Sequence, residues 1–380
     1  MPTHARLLLV VTLCCSLVAR AVAFASTETK AAANADAGAA PPPSPVVRVA
    51  QKHRYLLYDV IFHEQVNKQR RALMFYLDLA MKLKRTLVLP RTRLLRKARH
   101  GFNFDPNADY VGWGELYNVS TLSRLHPVME LDQYVALHGE QVTLHVNNNN
   151  QLCKADSKGA TQVDYNGRLF DAEYSICSKG LQYETNRLLS HQFTGEESIA
   201  FGNSVDQLGM DSALTLRPWV RFEQEIYDKA AAYVKKTFRG APFLSIHWRR
   251  TDFLQVRRSQ PGVLQSAEML ISHAKRLMKR HGLKHVYLAT DCDNADELSI
   301  VERALKPARF MPGSTRAAIS LLKRTQAANV EIAIAAMADY FLGTQTSSFT
   351  LAITEEREAI FGKSRDTADE MRGDPLKDEL

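Results

Sequence analysis

The sequence predicts an α/β fold in two halves, each built on its own parallel sheet, with a cleft between them. Three observations carry this. Short apolar runs suited to buried strands alternate with stretches whose apolar residues recur at helical spacing. The order strand, loop, helix, strand occurs early in the chain and again in its second half. The 380 residues, less terminal segments, are enough for two cores rather than one. Parallel strands joined through a helix form βαβ units, and such units take ligands outside the carboxyl ends of their strands. No internal sequence repeat accompanies the pattern, so the likeness of the halves is architectural.

The N-terminal segment from Met1 to Ala25 has Arg6 at its start, an apolar run from Leu7 to Val18, and Ala21, Ala23 and Ala25 at signal-peptidase spacing. That is the pattern of a cleaved secretory signal. The run is too short for a membrane span, and no later segment approaches the required length. Residues 26–46 are rich in Ala, Pro, Ser and Gly, which predicts a disordered linker, so the fold is expected to begin near Val47. The C-terminal Lys377-Asp378-Glu379-Leu380 is an endoplasmic-reticulum retrieval address of the kind read by the KDEL receptor. Together the termini predict a luminal protein.

In the first half, Tyr55-Leu56-Leu57-Tyr58 reads as a buried strand, Ile61 to Val66 as a loop, the stretch carrying Leu73, Leu77, Ala80 and Leu83 as a helix, and Thr86-Leu87-Val88-Leu89 as a strand closed by Pro90. In the second half, Phe243-Leu244-Ser245-Ile246 is a strand, Ala267 to His281 an amphipathic helix and Val286 to Ala289 a strand. Glu331 to Met337 is then helical, Tyr340-Phe341-Leu342-Gly343 strand-like and Phe349 to Ile360 helical.

A formal charge of +8 could point to nucleic acid, but a luminal address argues against it and favours acidic small molecules such as sugar nucleotides, or acidic protein partners. The densest basic run, from Lys82 through Lys84, Arg85, Arg91, Arg93, Arg96 and Lys97 to Arg99, reads as a solvated face and loop. Of five cysteines, Cys14 and Cys15 leave with the signal. Cys153 and Cys177 flank a polar segment and are expected to pair in an oxidising lumen, leaving Cys292 as a buried, inert thiol. Asn118-Val119-Ser120 is an N-glycosylation sequon, which predicts a surface position for Asn118.

Three segments fall at strand ends: His63 to Arg70, His247 to Phe253, and Gly343 to Phe349. A guanidinium such as Arg249 offers a fork of donors that matches phosphate oxygens. Ser347 and Ser348 bring hydroxyls and backbone amides to a helix N-terminus, where the dipole favours an anion. Glu64, in a strand-to-helix loop, could take a proton from an acceptor hydroxyl. Taken singly, Glu64 could equally be a first-turn carboxylate, Arg249 a surface ion-pair partner and Ser347 or Ser348 an N-cap; their shared position at strand ends favours a site.

From Arg54 to about Gly362 the chain resembles the protein O-fucosyltransferases, most closely the type that modifies thrombospondin repeats. The resemblance rests on Arg54-Tyr55-Leu56-Leu57-Tyr58-Asp59-Val60, on Glu64 three residues before Asn67, and on the His-x-Arg-Arg-x-Asp-Phe segment His247 to Phe253. It rests also on the strand end Ala289-Thr290-Asp291, the turn Gly343 to Phe349, and Glu355-Glu356-Arg357-Glu358. It implies a GT-B fold, with a Rossmann-like acceptor-side domain over 47–225, a Rossmann-like GDP-fucose-binding domain over 226–365 and a tail over 366–380. It implies inverting, metal-independent transfer of L-fucose from GDP-fucose to Ser or Thr hydroxyls of folded, disulfide-containing secretory domains.

Carried over by position, Glu64 resembles the general base and Arg249 the β-phosphate contact. His63, Asn67, His247, Trp248, Ser347, Ser348 and Phe349 resemble the nucleotide-sugar pocket, and Glu331 stands where the family usually has an Asp that grips guanine. The relatives that modify EGF repeats typically lack a carboxylate equivalent to Glu64, which favours the thrombospondin type. Asp291-Cys292-Asp293 has the Asp-x-Asp spacing of metal-dependent glycosyltransferases, but its flanks match the fucosyltransferase strand end. The alternatives are an acceptor such as an EGF repeat, or a catalytically silent lectin or folding factor of the same fold.

Overall fold

The computed structural model describes residues 53–60, 64–94, 109–147, 157–177, 195–204, 206–260, 262–311 and 319–371. The segments read as signal and linker, His63, Cys153 and residues 372–380 with the retrieval motif lie outside the described residues; of the expected tail, Ala368–Met371 is instead a strand of the second sheet.

The first βαβ unit forms as the apolar pattern predicts. Strand β1 (Tyr55–Val60) is buried along its whole length, α1 (Val66–Leu83) follows, and β2 (Thr86–Leu89) pairs with β1 in parallel, Tyr55 opposite Thr86. Helix α1 stops at Lys84, whose left-handed backbone turns its N–H onto the carbonyls of Ala80 and Met81. Beyond it come β3 (Thr92–Leu94), β4 (Asp109–Val111), α2 (Val119–Leu125), β5 (Val128–Glu130), α3 (Leu131–His138), β6 (Gln141–Asn147), β7 (Ser157–Tyr165), β8 (Arg168–Cys177) and β9 (Ser198–Ser204). One sheet has seven strands in the order β5-β2-β1-β9-β6-β8-β7, and β3 pairs only with β4.

All neighbours in the seven-stranded sheet are parallel except β7, which runs antiparallel to β8 at the edge. The expectation of a wholly parallel sheet is corrected there by a tight turn. Asn166 and Gly167 both have positive φ, the geometry of a two-residue hairpin.

The second half contributes α4 (Met210–Leu216), α5 (Gln224–Phe238), β10 (Phe243–Trp248), α6 (Phe253–Val256), α7 (Ala267–His281), β11 (His285–Thr290), α8 (Ala295–Leu305), α9 (Leu321–Met337), β12 (Tyr340–Thr344), α10 (Ser348–Ala359) and β13 (Ala368–Met371). Its four strands are all parallel, in the order β11-β10-β12-β13. Period-2 alternation divides β10 between two cores. Leu244, Ile246 and Trp248 pack with Leu270, Ala274 and Leu277 of α7, whereas Phe243 joins the larger core. That larger core runs without a break from Leu56 and Tyr58 through Leu73 and Leu77 to Ile332, Ile334 and Ile353, so α1, α9 and α10 form a helical layer common to both sheets.

The basic run is not simply a solvated face. Lys82 and Lys84 are exposed, but Arg85 and Arg93 are buried, Arg85 donating to the Tyr55 carbonyl and Arg93 pairing with Asp59. Cys177 is disulfide-bonded and ends β8. Cys292 is buried, and burial pushes its thiol pKa up, as expected for an inert cysteine. Asn118 is half-buried and caps α2, its Oδ1 accepting from the N–H of Thr121 and from the hydroxyl of Ser120 at 2.7 Å.

Candidate active site

Where β1 ends, the chain turns through Glu64 and Gln65 into α1. Where β10, β11 and β12 end, it turns through Arg249 to Asp252, Asp291, and Gln345 to Ser347. A cavity of about 300 Å³ lies among these turns and the start of α9. Its walls are Gln65, Val66 and Asn67 on one side, Arg249, Thr251, Asp291 and Phe349 on another, and the face of α9 bearing Arg324, Thr325, Ala328, Asn329 and Ile332. A crevice outside the carboxyl ends of parallel strands is where this class of fold binds its ligands.

Arg249 is held by two carboxylates. Its Nε lies 2.8 Å from Asp252 Oδ1 and its Nη1 3.1 Å from Asp291 Oδ2. Its backbone is fixed by a threonine from the neighbouring strand: Thr344 Oγ1 accepts from the Arg249 N–H at 3.0 Å and donates to the His247 carbonyl at 2.8 Å. From the other flank, Thr290 Oγ1 donates to the Trp248 carbonyl at 2.7 Å. Two threonines at the ends of β11 and β12 thus extend the pairing of β10 past the sheet and aim the guanidinium.

Asp291 organises the same loop. Besides Arg249, its Oδ1 accepts from the Arg250 N–H at 2.7 Å and its Oδ2 from the Thr251 hydroxyl. Both oxygens are engaged with protein donors, so the Asp-x-Asp sequence positions a loop in this structure. Arg250 turns away from the cavity, its Nε donating to Glu297 at 3.0 Å.

His247 is buried at the end of β10, its Nδ1 2.7 Å from Thr350 Oγ1 and its ring 4.8 Å from that of Phe349. Ser347 caps α10, its Oγ accepting from the Phe349 N–H at 3.3 Å while the hydroxyl proton stays available to donate. The N-cap reading and the anion-site reading of this serine are therefore compatible. Close packing of β12 on α10 demands glycine at 343, because a Cβ there would run into Thr350 Cγ2. Thr346 in the same turn has φ of 62°, left-handed backbone that a β-branched residue adopts at a cost.

Just before the facing wall, Glu64 is buried, and its Oε1 accepts from Lys68 Nζ at 2.7 Å. Its backbone is pinned from behind. Gln69 Nε2 donates to the Glu64 carbonyl at 3.0 Å and to the Arg93 carbonyl at 2.8 Å, while Gln69 Oε1 accepts from the Arg93 N–H at 3.0 Å. Glu64 itself does not line the cavity; it stands one residue before the wall that begins at Gln65.

The structure brings Asn67, Arg249 and Phe349 onto the cavity wall, with His247 and Ser347 directly behind it. It does not bring Trp248 there. The sequence reading ended the strand at Ile246, but β10 continues to Trp248, so alternation turns this side chain into the core with Leu244 and Ile246, where Nε1 donates to the Gln265 carbonyl at 3.0 Å. Trp248 as a donor contact is corrected on that ground. Glu331 is buried in α9 and does not line the cavity. Thr290, Thr344, Gln69, Arg324 and Asn329 escaped the sequence reading. Of these, Gln69, Thr290 and Thr344 carry a signal, standing inside the strand-end segments.

Residues 55–360 match the family model described as O-FucT, GDP-fucose protein O-fucosyltransferase. A relative from Caenorhabditis elegans named GDP-fucose protein O-fucosyltransferase 2 is 26% identical over 375 residues, covering 82% of this chain and 85% of its own. The protein of the same name from Homo sapiens is 32% identical over 138 residues, 36% of this chain and 31% of its own. Among solved structures, POFUT1 in complex with GDP-fucose superposes with a TM-score of 0.61 at 14% identity, over 84% of this chain and 98% of that one. The fold is thus the GT-B type of α/β glycosyltransferase, and the chain belongs to the GDP-fucose protein O-fucosyltransferase family.

Proposed function

We propose that the protein transfers L-fucose from GDP-fucose to Ser or Thr hydroxyls of folded, disulfide-containing protein domains, thrombospondin type 1 repeats above all, with inversion and without a metal. The observation that carries this reading is the convergence on one cavity of a carboxylate-braced guanidinium, Arg249, of Phe349 in the first turn after the Ser347 cap, and of the Gln65 to Asn67 turn that follows Glu64. In this reading residues 47–225 supply the acceptor side and 226–365 the donor side.

The chemistry balances as one displacement. The acceptor oxygen attacks the anomeric carbon from the face opposite the diphosphate, its proton passes to a Glu64 carboxylate oxygen, and the bond from the anomeric carbon to the β-phosphate oxygen breaks, leaving its electron pair on GDP. Arg249 and the N-terminal start of α10 stabilise the charge that develops on the departing diphosphate. His247, behind Phe349, holds the pocket floor through Thr350.

Type-specific support comes from Glu64, the carboxylate that the EGF-modifying relatives typically lack. The test is incubation with labelled GDP-fucose and folded thrombospondin and EGF repeats, with and without EDTA. Label on thrombospondin repeats in both conditions is expected. Label on EGF repeats alone would reassign the acceptor, and GDP binding with no transfer to any repeat would favour a silent lectin or folding factor. The terminal signals support an endoplasmic-reticulum lumenal site, in which case deletion of 377–380 should release the protein to the medium. For that compartment the sequence predicts pairing of Cys153 with Cys177 and N-glycosylation of Asn118.

A further inference from the structure

Asn329 sits mid-helix in α9, between Ala328 and Val330, on the face that walls the cavity. It is 2% exposed, and its Nδ2 has no hydrogen-bond partner among the described residues. Asparagine is a weak helix former, and an unsatisfied buried amide costs free energy that alanine or leucine at this site would not incur. Arg324 and Thr325 lie about one turn before it on the same face, at the helical spacing that makes them neighbours. Around it Ala328, Ile332 and Phe349 contribute apolar wall, against which the Asn329 amide stands as an unpartnered donor. Charged oxygens are served elsewhere in the cavity by Arg249 and Arg324.

We infer that Asn329 is a specificity-determining residue for the nucleotide sugar, its Nδ2 donating to an uncharged acceptor of GDP-fucose. Two sources share that chemistry: a carbonyl or ring nitrogen of the guanine, and a hydroxyl or ring oxygen of the fucose. The inference rests on the fucosyltransferase reading above and deepens it by adding a contact that does not involve the diphosphate.

The test is calorimetric titration of the wild type, Asn329→Ala and the near-isosteric Asn329→Asp with GDP and with GDP-fucose, beside thermal melts without nucleotide. Asn329→Ala should bind about tenfold more weakly, the worth of one hydrogen bond to a buried donor. Asn329→Asp should bind more weakly still, because a carboxylate cannot donate and repels an acceptor. An equal loss for both ligands puts the acceptor on the nucleotide, and a loss for GDP-fucose alone puts it on the sugar; either supports the inference. Without nucleotide, Asn329→Ala should melt at or above the wild-type temperature, since it removes an unsatisfied group. Wild-type affinity in both variants, or a lower unliganded melt for Asn329→Ala, would overturn the inference and leave the amide a structural group. A wild type that binds neither ligand would overturn the fucosyltransferase reading, and this inference with it.

Discussion

Arg70 and Glu355 are 285 residues apart in sequence, yet Arg70 Nη2 donates to Glu355 Oε2 at 2.7 Å with both side chains fully buried. Arg71 reaches the other oxygen at 2.6 Å, and the next residue, Glu356, accepts from Arg217 and from the Tyr227 hydroxyl. Through these pairs α1, which carries Asn67 into the cavity, is locked to α10, which begins at the Ser347 cap. The walls that hold the proposed base and the proposed diphosphate contact are thereby braced against each other by ions that water does not reach.

Buried pairs are costly to break from one side, because the surviving charge keeps its desolvation penalty. Glu355→Gln, leaving Arg70 and Arg71 without their carboxylate, should destabilise the fold by roughly 3–5 kcal/mol, read as a lower denaturant midpoint. In the fraction that folds, turnover should fall more than GDP affinity, since β10, β12 and the start of α10 remain one assembly while α1 loses its anchor. A variant with wild-type stability would show that the network is not bracing the two helices.

Removing the proposed base separates chemistry from binding. Glu64→Gln keeps the size and hydrogen bonding of the side chain but cannot accept a proton, so turnover should drop on the order of 10²- to 10⁴-fold with GDP affinity retained. Glu64→Ala should behave alike. Lost GDP binding would instead mean that Glu64 belongs to the donor pocket, or that its pair with Lys68 is what shapes the α1 turn.

For Arg249→Ala, loss of one preorganised electrostatic donor predicts a fall in turnover of roughly 10²-fold or more. Arg249→Lys should recover little, because an ammonium cannot span Asp252 and Asp291 while presenting a planar fork to phosphate. Near-normal turnover in a folded Arg249→Ala protein would shift the role to another cation of the cavity wall, Arg324.

What could be read from sequence, and what could not, divides along physical lines. Helix α7 matches its expected bounds at both ends because Ser266 caps it and Gly282 closes it in left-handed conformation. Helix α9 starts ten residues before the expected Glu331, at Leu321, because Arg324, Thr325 and Asn329 face the cavity and interrupt the apolar periodicity. The β7–β8 hairpin went unread although Asn166-Gly167 marks its turn and Phe170, Ala172 and Ile176 alternate inward along β8. In the site, Arg249 and Ser347 were legible from their place at strand ends. Thr290 and Thr344 act on the β10 end through backbone groups far from them in sequence, and no local pattern announces those partners.

The last prediction concerns acid. His145 is buried in β6 beside Gly202, where a Cβ would come within 2.6 Å of its Nε2, and burial lowers its pKa from the usual 6.5 to about 4. Because the folded pKa lies below the unfolded one, the unfolded chain takes up a proton first as pH falls. Stability is therefore complete above pH 6.5 and is lost progressively down to about pH 4, by up to roughly 3 kcal/mol from this residue. Buried carboxylates such as Asp59, whose pKa burial raises, act with the opposite sign but are common to wild type and variant. Melting temperature followed across that range should fall less steeply for His145→Gln than for the wild type. Parallel curves would mean that His145 takes up its proton as readily in the folded protein as in the unfolded chain.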